Sequence, residues 1–201
     1  MLDALAVAID GPAGAGKSTV SKLLATKTGY ALLDTGAMYR AFSWAFMMDQ
    51  AADPNIDIED SVVNHSIIVE YMDGSTKVSC DGRDISSDIR SAEVTALVSA
   101  VSANAFVRMR AVELQRTLVR EQIAANRGVI LEGRDIGTTV LPSAAVKFFL
   151  TASDEVRARR RAQEVGADEE QIRHLIAARD LADTSRDVSP LRKAADAIEI
   201  D

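Results

Sequence analysis

The sequence contains few residues of the types that form disulfides and metal sites. Cys80 is the single cysteine among 201 residues, so an intramolecular disulfide is impossible and a cysteine-based zinc site is not expected. Its small side chain suits the apolar interior of a strand. His65 and His174 are the two histidines, and neither belongs to a pattern typical of metal ligands. We therefore expect both to be core or surface residues rather than catalytic ones.

Long apolar segments and a basic charge balance are also missing. No apolar run approaches the ~20 residues that a membrane-spanning helix needs, and the N-terminus lacks the basic segment and cleavage site of a secretory signal. The net charge is −7, whereas proteins that bind nucleic-acid polymers are usually basic. We expect a cytoplasmic monomer that has neither a membrane nor a nucleic-acid polymer as partner.

Short apolar runs alternate with helical patterns along most of the chain. The runs read as strands buried on both faces, at about residues 5–9, 30–33, 129–131, 146–150 and 197–200. Helices are predicted at about residues 17–28, 154–165 and 169–182. An apolar stripe predicts another helix around Val94, Leu97, Val98 and Val101. This alternation is typical of an α/β fold with a doubly wound, five-stranded parallel sheet.

One region departs from that alternation. Ile67, Val69 and Tyr71 alternate with more mixed positions, and the pairs Asp73-Gly74 and Asp81-Gly82 follow. Asp-Gly pairs favour the tight turns of antiparallel hairpins. The sequence therefore predicts a small β-rich insertion at about residues 62–88, which we interpret as a substrate-binding elaboration.

A glycine-rich segment follows the first predicted strand and opens the first predicted helix. Its sequence, Gly11-Pro-Ala-Gly-Ala-Gly-Lys-Ser18, fits the phosphate-binding pattern G-x-x-x-x-G-K-[ST] in the context that this pattern requires. Glycines let backbone N–H groups turn toward phosphate oxygens, and the helix N-terminus adds positive potential. Lys17 is predicted to reach the β- and γ-phosphates of a nucleotide, and the Ser18 hydroxyl to ligate Mg²⁺.

The loop alone does not choose between a kinase, a GTPase and a motor ATPase. The N-K-x-D motif by which GTPases read guanine is not in the sequence, and an obvious Walker-B aspartate is also missing. Glu132 stands at the comparable strand end, where it is a candidate to order Mg²⁺ through water. The alternative is a solvated carboxylate at the end of a strand.

Several arginines lie where phosphates are expected to bind. Arg40 and Arg134 follow predicted strands, whose carboxyl ends collect ligands in a parallel sheet. Arg179 and Arg186 flank Asp183. Because a phosphomonoester is largely ionised at pH 7, it needs bidentate cations more than a general base. Arg179 and Asp183 share a helix face, so they form either an intrahelical ion pair or a donor and an acceptor for a ribose.

The longer strings around these residues resemble the bacterial cytidylate kinases. The matching segments are Ile9-Asp-Gly-Pro-Ala-Gly-Ala-Gly-Lys-Ser18, Leu32-Leu-Asp-Thr-Gly-Ala-Met-Tyr-Arg40, Glu132-Gly-Arg-Asp-Ile-Gly-Thr138, the arginine-rich run 157–161 and the segment 179–191. The resemblance covers nearly the whole chain. It implies a P-loop kinase that uses ATP and Mg²⁺ to phosphorylate CMP or dCMP. The implied parts of this single domain, residues 1–201, are a core of about 1–34, 95–154 and 169–201, a monophosphate-binding insertion of about 35–94 and a lid of about 155–168.

The resemblance also implies a role for each matching residue. The implied ATP site consists of Gly11, Pro12, Ala13, Gly14, Ala15, Gly16, Lys17, Ser18, Thr19 and Arg157. The implied acceptor-phosphate site consists of Arg40, Arg134 and Arg186, with Thr35 at the same nucleotide. Cytosine contacts are implied for Ser99, Arg108 and Asp135, and sugar contacts for Arg179 and Asp183. The implied catalytic residues are Lys17, Arg134 and the lid arginines Arg160 and Arg161.

The chemistry of Asp135 agrees with cytosine as the base. Cytosine presents an amino donor, N4, where uracil presents the acceptor O4. A carboxylate attracts the first and repels the second, which supplies both halves of specificity. Kinases of another small acceptor, such as UMP, AMP or shikimate, remain the alternative, together with a non-catalytic ATP-binding regulator.

Two features depart from the family pattern. Ala105 stands where many relatives have proline, which predicts a looser start of the helix that carries Arg108. The sequence ends at Asp201, directly after the last predicted strand, where relatives usually continue into a further helix. We expect an exposed face of the sheet as the consequence.

Overall fold

The computed structural model describes residues 5–72 and 75–201, with Met72 and Ser75 described by their backbone alone. Its strands are Ala6–Asp10 (β1), Ala31–Asp34 (β2), Ile67–Met72 (β3), Ser75–Cys80 (β4), Arg83–Asp84 (β5), Val129–Gly133 (β6), Val146–Leu150 (β7) and Ile198–Ile200 (β8). Within the described residues, five of them form a parallel sheet in the order β2-β6-β1-β7-β8. The predicted α/β fold of the P-loop NTPase type, with a doubly wound five-stranded parallel sheet, is confirmed.

Helices cover both faces of this sheet, and side chains cap most of their N-termini. The helices are Lys17–Thr28 (α1), Thr35–Ala52 (α2), Ile58–Asn64 (α3), Ala92–Ala103 (α4), Ala105–Ala124 (α5), Asp154–Val165 (α6) and Glu169–Ser185 (α7). The capping side chains, each accepting a backbone N–H of the first turn, belong to Asp34, Asp57, Ser91, Asn104, Ser153 and Asp168. None of the helices in the described part of the chain is both long and apolar enough to cross a bilayer.

Several helices and strands have the limits that the sequence patterns predict. Helices α1 and α6 and strand β7 have the predicted limits. Strand β6 runs two residues farther than predicted, to Gly133, and α7 runs three residues farther, to Ser185. The predicted apolar stripe lies in α4, where it packs into the core formed with α2 and α5. The predicted positions of these elements are therefore correct, and the differences are confined to their ends.

The predicted β-rich insertion is present. Strands β3, β4 and β5 form an antiparallel sheet that packs on α2. Asp81 and Gly82 connect β4 to β5 with φ angles of 50° and 80°, the left-handed conformation that Asp-Gly turns favour. The predicted turn at Asp73-Gly74 lies outside the described residues. Cys80 is buried in this sheet, as predicted.

His65 pairs with two carboxylates, which the sequence analysis did not predict. Its Nε2 lies 2.9 Å from Oδ2 of Asp49 in α2, and its Nδ1 lies 2.5 Å from Oδ2 of Asp81. Burial alone would lower the pKa of His65, but the hydrogen bonds to both carboxylates raise it above its ordinary value. The histidine therefore ties α2 to the insertion, which is a structural role.

The carboxyl ends of the central strands meet at one edge of the parallel sheet. Asp10 at the end of β1 lies beside Gly133 of β6, and Asp34 at the end of β2 lies beside Glu132. The glycine-rich loop, the start of α2 and the turn after β6 all leave the sheet here. This edge is where ligands of doubly wound sheets bind.

Candidate active site

The glycine-rich segment folds as a tight loop between β1 and α1. A Cβ at Gly11 would lie only 2.0 Å from the carbonyl oxygen of Leu150, so no other residue fits at this position. Gly14 has a φ of 75°, in the left-handed region, and a Cβ there would come within 3.1 Å of Arg157 Cβ. The backbone of the loop is therefore packed directly against β7 and α6.

Lys17, in the first turn of α1, turns its side chain back over the loop. Its Nζ donates to the carbonyl oxygens of Gly11 at 2.8 Å and Pro12 at 2.7 Å. Burial, followed by the nearby charge of Arg134, lowers the pKa of Lys17 well below its ordinary value. A buried ammonium that has only carbonyl partners gains strongly from an anionic ligand.

Glu132, near the end of β6, offers a carboxylate beside the start of α1. Burial raises the pKa of Glu132 to about 7, the neighbouring Asp34 adds to the shift, and the Ser18 hydroxyl opposes it. Among the residues that the structure describes, Oε2 of Glu132 is buried and finds no hydrogen-bond partner. Ser18 and Thr19 are exposed at the same place. Oxygen donors of this kind fit Mg²⁺, so Ser18 and Glu132 could hold that ion.

A chain of alternating arginines and carboxylates lies beyond the turn after β6. Arg108 of α5 donates to Oδ2 of Asp135 at 2.5 Å, and both side chains are almost fully buried. Arg186 lies 3.8 Å from the other oxygen, Oδ1 of Asp135, and 3.4 Å from Oδ1 of Asp183. Arg134 donates through Nε to Oδ2 of Asp183 at 2.8 Å. Of these pairs, Arg186 and Asp183 are close in the sequence, whereas Arg108 and Asp135 are separated by 27 residues and Arg134 and Asp183 by 49.

Two buried nitrogens beside Asp135 have hydrogen atoms to donate and no acceptor. In the described part of the chain, Nε of Arg108 and Nη2 of Arg186 are buried without a hydrogen-bond partner. Unpaired buried donors are costly, so their persistence beside Asp135 marks a place prepared for a ligand. Arg108 also stacks over the ring of Tyr39 at 5.4 Å, which fixes the guanidinium plane.

The remaining cations are close enough to repel one another. Burial, followed by the charge of Arg134, lowers the pKa of Arg179 to about 10. Burial and the charges of Arg161 and Arg90 lower the pKa of Arg40, which donates to the Ile89 carbonyl at 3.1 Å. Positive groups from α2, α6, α7 and the turn after β6 thus converge near Lys17. Such a concentration of cations is a binding site for a polyanion.

Two further predicted nucleotide contacts, Thr35 and Ser99, lie on α2 and α4. Thr35 at the start of α2 is buried and donates its hydroxyl to the Glu132 carbonyl at 2.7 Å. A Cβ at Gly133 would lie 2.8 Å from this hydroxyl oxygen, so Gly133 has to be a glycine for Thr35 to fit. Ser99 is half-buried on α4. Thr35 therefore joins α2 to β6 directly beneath the cations.

The three lid arginines have different surroundings. Arg160 reaches toward the loop, with its Nη1 at 3.9 Å from the place that a Cβ on Gly16 would take. Arg161 is exposed and pairs with Glu164 at 2.9 Å. Arg157 is buried, and its nitrogens bond the loop backbone and carboxylates of α6 and α7. Arg160 thus faces the loop and Arg161 is exposed with one carboxylate partner, while Arg157 is occupied by protein groups.

The match to known proteins extends over this whole arrangement. The family model described as "Cytidylate kinase" matches residues 7–201. The chain belongs to the cytidylate kinase family. A relative named "Cytidylate kinase" from Streptomyces avermitilis is 49% identical over 205 residues, covering 98% of this chain and 85% of its own. One of the same name from Limosilactobacillus fermentum is 47% identical over 208 residues, covering 100% of this chain and 89% of its own.

A comparison of folds gives a more distant likeness. A crystal structure of an uncharacterised protein from Eubacterium ventriosum superposes with a TM-score of 0.51 at 14% sequence identity. The match covers 98% of this chain and 89% of that one. It supports the fold alone.

The structure adds three residues that the sequence motifs did not single out. Asp10 accepts the backbone N–H groups of Ile136 at 2.8 Å and Gly137 at 2.7 Å, and so fixes the turn that carries Arg134 and Asp135. Tyr39 lies beneath Arg108. Asp180 bonds the phosphate loop at Ala13. All three lie in segments that resemble the family, but their contacts with distant residues depend on tertiary packing.

Proposed function

We propose that this protein transfers the γ-phosphoryl group of ATP to the phosphate of CMP or dCMP, giving ADP and CDP or dCDP. An oxygen of the acceptor phosphate forms a bond to the γ-phosphorus while the bond from that phosphorus to the β–γ bridging oxygen breaks. The single observation that carries the proposal is the buried Arg108–Asp135 pair with Arg186 beside it, next to the phosphate loop. Membership of the cytidylate kinase family supports the same reaction.

The acceptor phosphate would be held by Arg40, Arg134 and Arg186. Their guanidinium groups are permanently charged and can each bind two phosphate oxygens. Arg134 and Arg186 are already oriented by Asp183, so the acceptor would meet fixed rather than mobile cations. Thr35 lies at the same nucleotide. No general base is required, because the attacking phosphate oxygen is ionised near pH 7.

The cytosine ring would bind between Asp135, Arg108 and Ser99. Oδ2 of Asp135 is occupied by Arg108, which leaves Oδ1 to accept a hydrogen bond from N4. Nε of Arg108, which has no partner among the described residues, can donate to the ring nitrogen N3 or to the exocyclic oxygen O2 of cytosine. Arg179 and Asp183, on one face of α7, would bind the sugar hydroxyls.

The ATP phosphates would bind in the loop from Gly11 to Thr19, through the backbone N–H groups that follow Ala13. Lys17 would move from the carbonyls of Gly11 and Pro12 to the transferring phosphate, and Arg160 and Arg161 would approach it from the lid. Lys17, Arg134, Arg160 and Arg161 would together stabilise the charge that develops in the transition state. Mg²⁺, held by Ser18 directly and by Glu132 through water, would neutralise charge on the phosphates.

Closure of the two peripheral parts would keep water from the transferring group. The lid of about residues 155–168 and the insertion of about 35–94 would close on the core of about 1–34, 95–154 and 169–201. We further propose that the protein works as a monomer in the cytoplasm. Its partners would be small nucleotides rather than nucleic-acid polymers, in keeping with a net charge of −7.

An assay of ADP release tests the reaction. The purified protein is given MgATP and, in separate reactions, CMP, dCMP, UMP, AMP or shikimate, and ADP is coupled to NADH oxidation. We expect turnover with CMP and dCMP, and at least about tenfold lower kcat/KM with UMP. Equal rates with CMP and UMP would refute the cytosine site. ATP binding without ADP release from any acceptor would indicate a regulator rather than an enzyme.

A further inference from the structure

The backbone N–H and carbonyl groups of one residue of the phosphate loop are both bonded by side chains, one from α6 and one from α7. Ala13 donates its N–H to Oδ1 of Asp180 in α7 at 3.0 Å. Its carbonyl oxygen accepts from Nη1 of Arg157 in α6 at 2.8 Å. Arg157 and Asp180 are also bonded to each other, through Nη1 and Oδ2. The three residues form a closed ring of charge-assisted hydrogen bonds, which we call the Ala13 clasp.

All three guanidinium nitrogens of Arg157 are taken up by protein acceptors. Beyond the clasp, Nε donates to the Ala152 carbonyl at 3.0 Å and Nη2 bonds Oδ1 of Asp154. The Arg157 side chain is 6% exposed and that of Asp180 is 17% exposed. Four of the five N–H donors of Arg157 are thus bonded within the protein, and the fifth, on Nη2, belongs to a buried side chain. In this arrangement the Arg157 side chain supports the loop.

Apolar packing around the clasp also supports the loop. Ala13 lies in an apolar cluster with Ala158, Ala162, Ile172 and Ile176 of α6 and α7. A Cβ added to Gly14 would approach the carbonyl oxygen of Arg157 to 3.1 Å, so α6 lies directly against the loop. Packing and the clasp therefore together hold the loop against α6 and α7.

We propose that Arg157 and Asp180 are positioning residues that hold the phosphate loop in its binding conformation through Ala13. The N–H of Ala13 is committed to Asp180, so Ala13 is the anchored end from which the following N–H groups turn toward phosphate. Backbone donors bind an anion well only when they are held in place beforehand. The inference depends on the proposed function only in that the bound anion is ATP.

A change at Asp180 separates this role from direct binding of ATP. If Arg157 were an ATP ligand, Asp180→Asn would release it and leave ATP affinity the same or higher. If the clasp holds the loop, Asp180→Asn loses the charge that holds Arg157 and weakens ATP binding. Arg157→Lys keeps the charge but cannot bond Ala13, Asp180 and Ala152 together, so it should weaken ATP binding as well.

The test is calorimetric titration with ATP in the absence of an acceptor, for wild type, Asp180→Asn, Arg157→Lys and the double variant. We expect about a tenfold higher Kd for each single variant. The double variant should lose little more, because both changes break one unit. An unchanged or lower Kd for Asp180→Asn, or losses that multiply in the double variant, would overturn the proposal.

Two further measurements distinguish a local effect on the phosphate loop from a general effect on the protein. Arg173→Lys changes an exposed arginine of α7 that pairs with Glu170 at 2.6 Å, and it should leave the Kd for ATP unchanged. Hydrogen exchange should become faster at residues 13–17 in Asp180→Asn and stay slow in the central strand β1. Faster exchange throughout the sheet would contradict a positioning role. Because ATP binding is read without turnover, a failure of the proposed reaction with CMP would be seen separately.

Discussion

Replacement of Asp135 by asparagine is the sharpest test of base recognition. The substitution keeps the shape of the side chain and removes its charge. Oδ2 of Asp135 is bonded to Arg108 at 2.5 Å, whereas Oδ1 lies 3.8 Å from Arg186 and has capacity for a ligand. In the variant, the asparagine amide can turn its donor toward uracil O4. We therefore expect Asp135→Asn to lower kcat/KM for CMP and to raise the relative rate with UMP.

The size of the effect follows from the contact. A well-placed hydrogen bond to a base edge is worth about 1–3 kcal/mol of discrimination. The ratio of kcat/KM for CMP over UMP should accordingly fall by about 10- to 100-fold. The same change removes one partner of a buried ion pair, which typically costs about 3–5 kcal/mol of unfolding free energy. The assay therefore needs a temperature at which circular dichroism shows the variant to be folded.

Asp183→Asn is the matched control. Asp183 is a buried carboxylate of the same network, but it is bonded to Arg134 and Arg186, on the phosphate side. Its loss should lower the rates with CMP and UMP by similar factors and leave their ratio unchanged. An unchanged ratio in Asp135→Asn, or an equal change of ratio in Asp183→Asn, would refute the assignment of Asp135 to the base.

Three further predictions concern Glu132, Asp10 and Asn104. Because the pKa of Glu132 is raised to about 7, protons should compete with Mg²⁺ for this carboxylate. The Mg²⁺ concentration for half-maximal activity should therefore rise as the pH falls from 8 to 6. Glu132→Gln should weaken this pH dependence, and the same pH dependence in wild type and variant would count against Glu132. Burial raises the pKa of Asp10 from its ordinary 3.8 to about 6, so the folded state binds this proton more tightly than the unfolded state. That contribution, about 3 kcal/mol, is present below pH ~4 and lost as the pH rises through about 6, and the Tm of Asp10→Asn relative to wild type should therefore rise between pH 4.5 and 7; a constant difference would contradict the shift. Asn104 caps the helix that carries Arg108, so Asn104→Ala should cost about 1 kcal/mol of unfolding free energy, measured by urea denaturation, and no loss would show that the cap is unimportant.

The order of strands and helices was predictable because burial on both faces leaves a simple pattern. Strand β7 is apolar at four of its five positions, with Lys147 as the exception, and its limits were predicted correctly. Strand β6 continues to Gly133 because Glu132 and Gly133 pair with Asp34 and Asp10 in the sheet, which no apolar pattern records. The length of a strand beyond its apolar part depends on its neighbours.

The site was predictable as a set of residues, and much less so as a set of contacts. The motifs marked Arg134, Asp135 and Asp183, but the pairing of Arg134 with Asp183 joins residues far apart in the chain. The spacing of Arg179 and Asp183 left open an intrahelical ion pair or a donor and acceptor for a ribose, and in the structure Asp183 is bonded to Arg134 and Arg186. The arginine run likewise gave no sign that Arg157 is buried beneath the loop. Tertiary packing decides which of several equivalent charges faces the ligand.

The proposed reaction depends on fixed cations that hold the triphosphate of ATP and the phosphate of the acceptor end to end. A molecule in which adenosine and cytidine are joined by five phosphates would occupy both sites at once, and calorimetry would measure its binding to wild type and to Arg134→Ala. We predict one molecule bound per chain, at least about 100-fold more tightly than ATP or CMP alone, and a large loss of affinity in Arg134→Ala. Binding no tighter than that of ATP, or unchanged by loss of Arg134, would contradict the account.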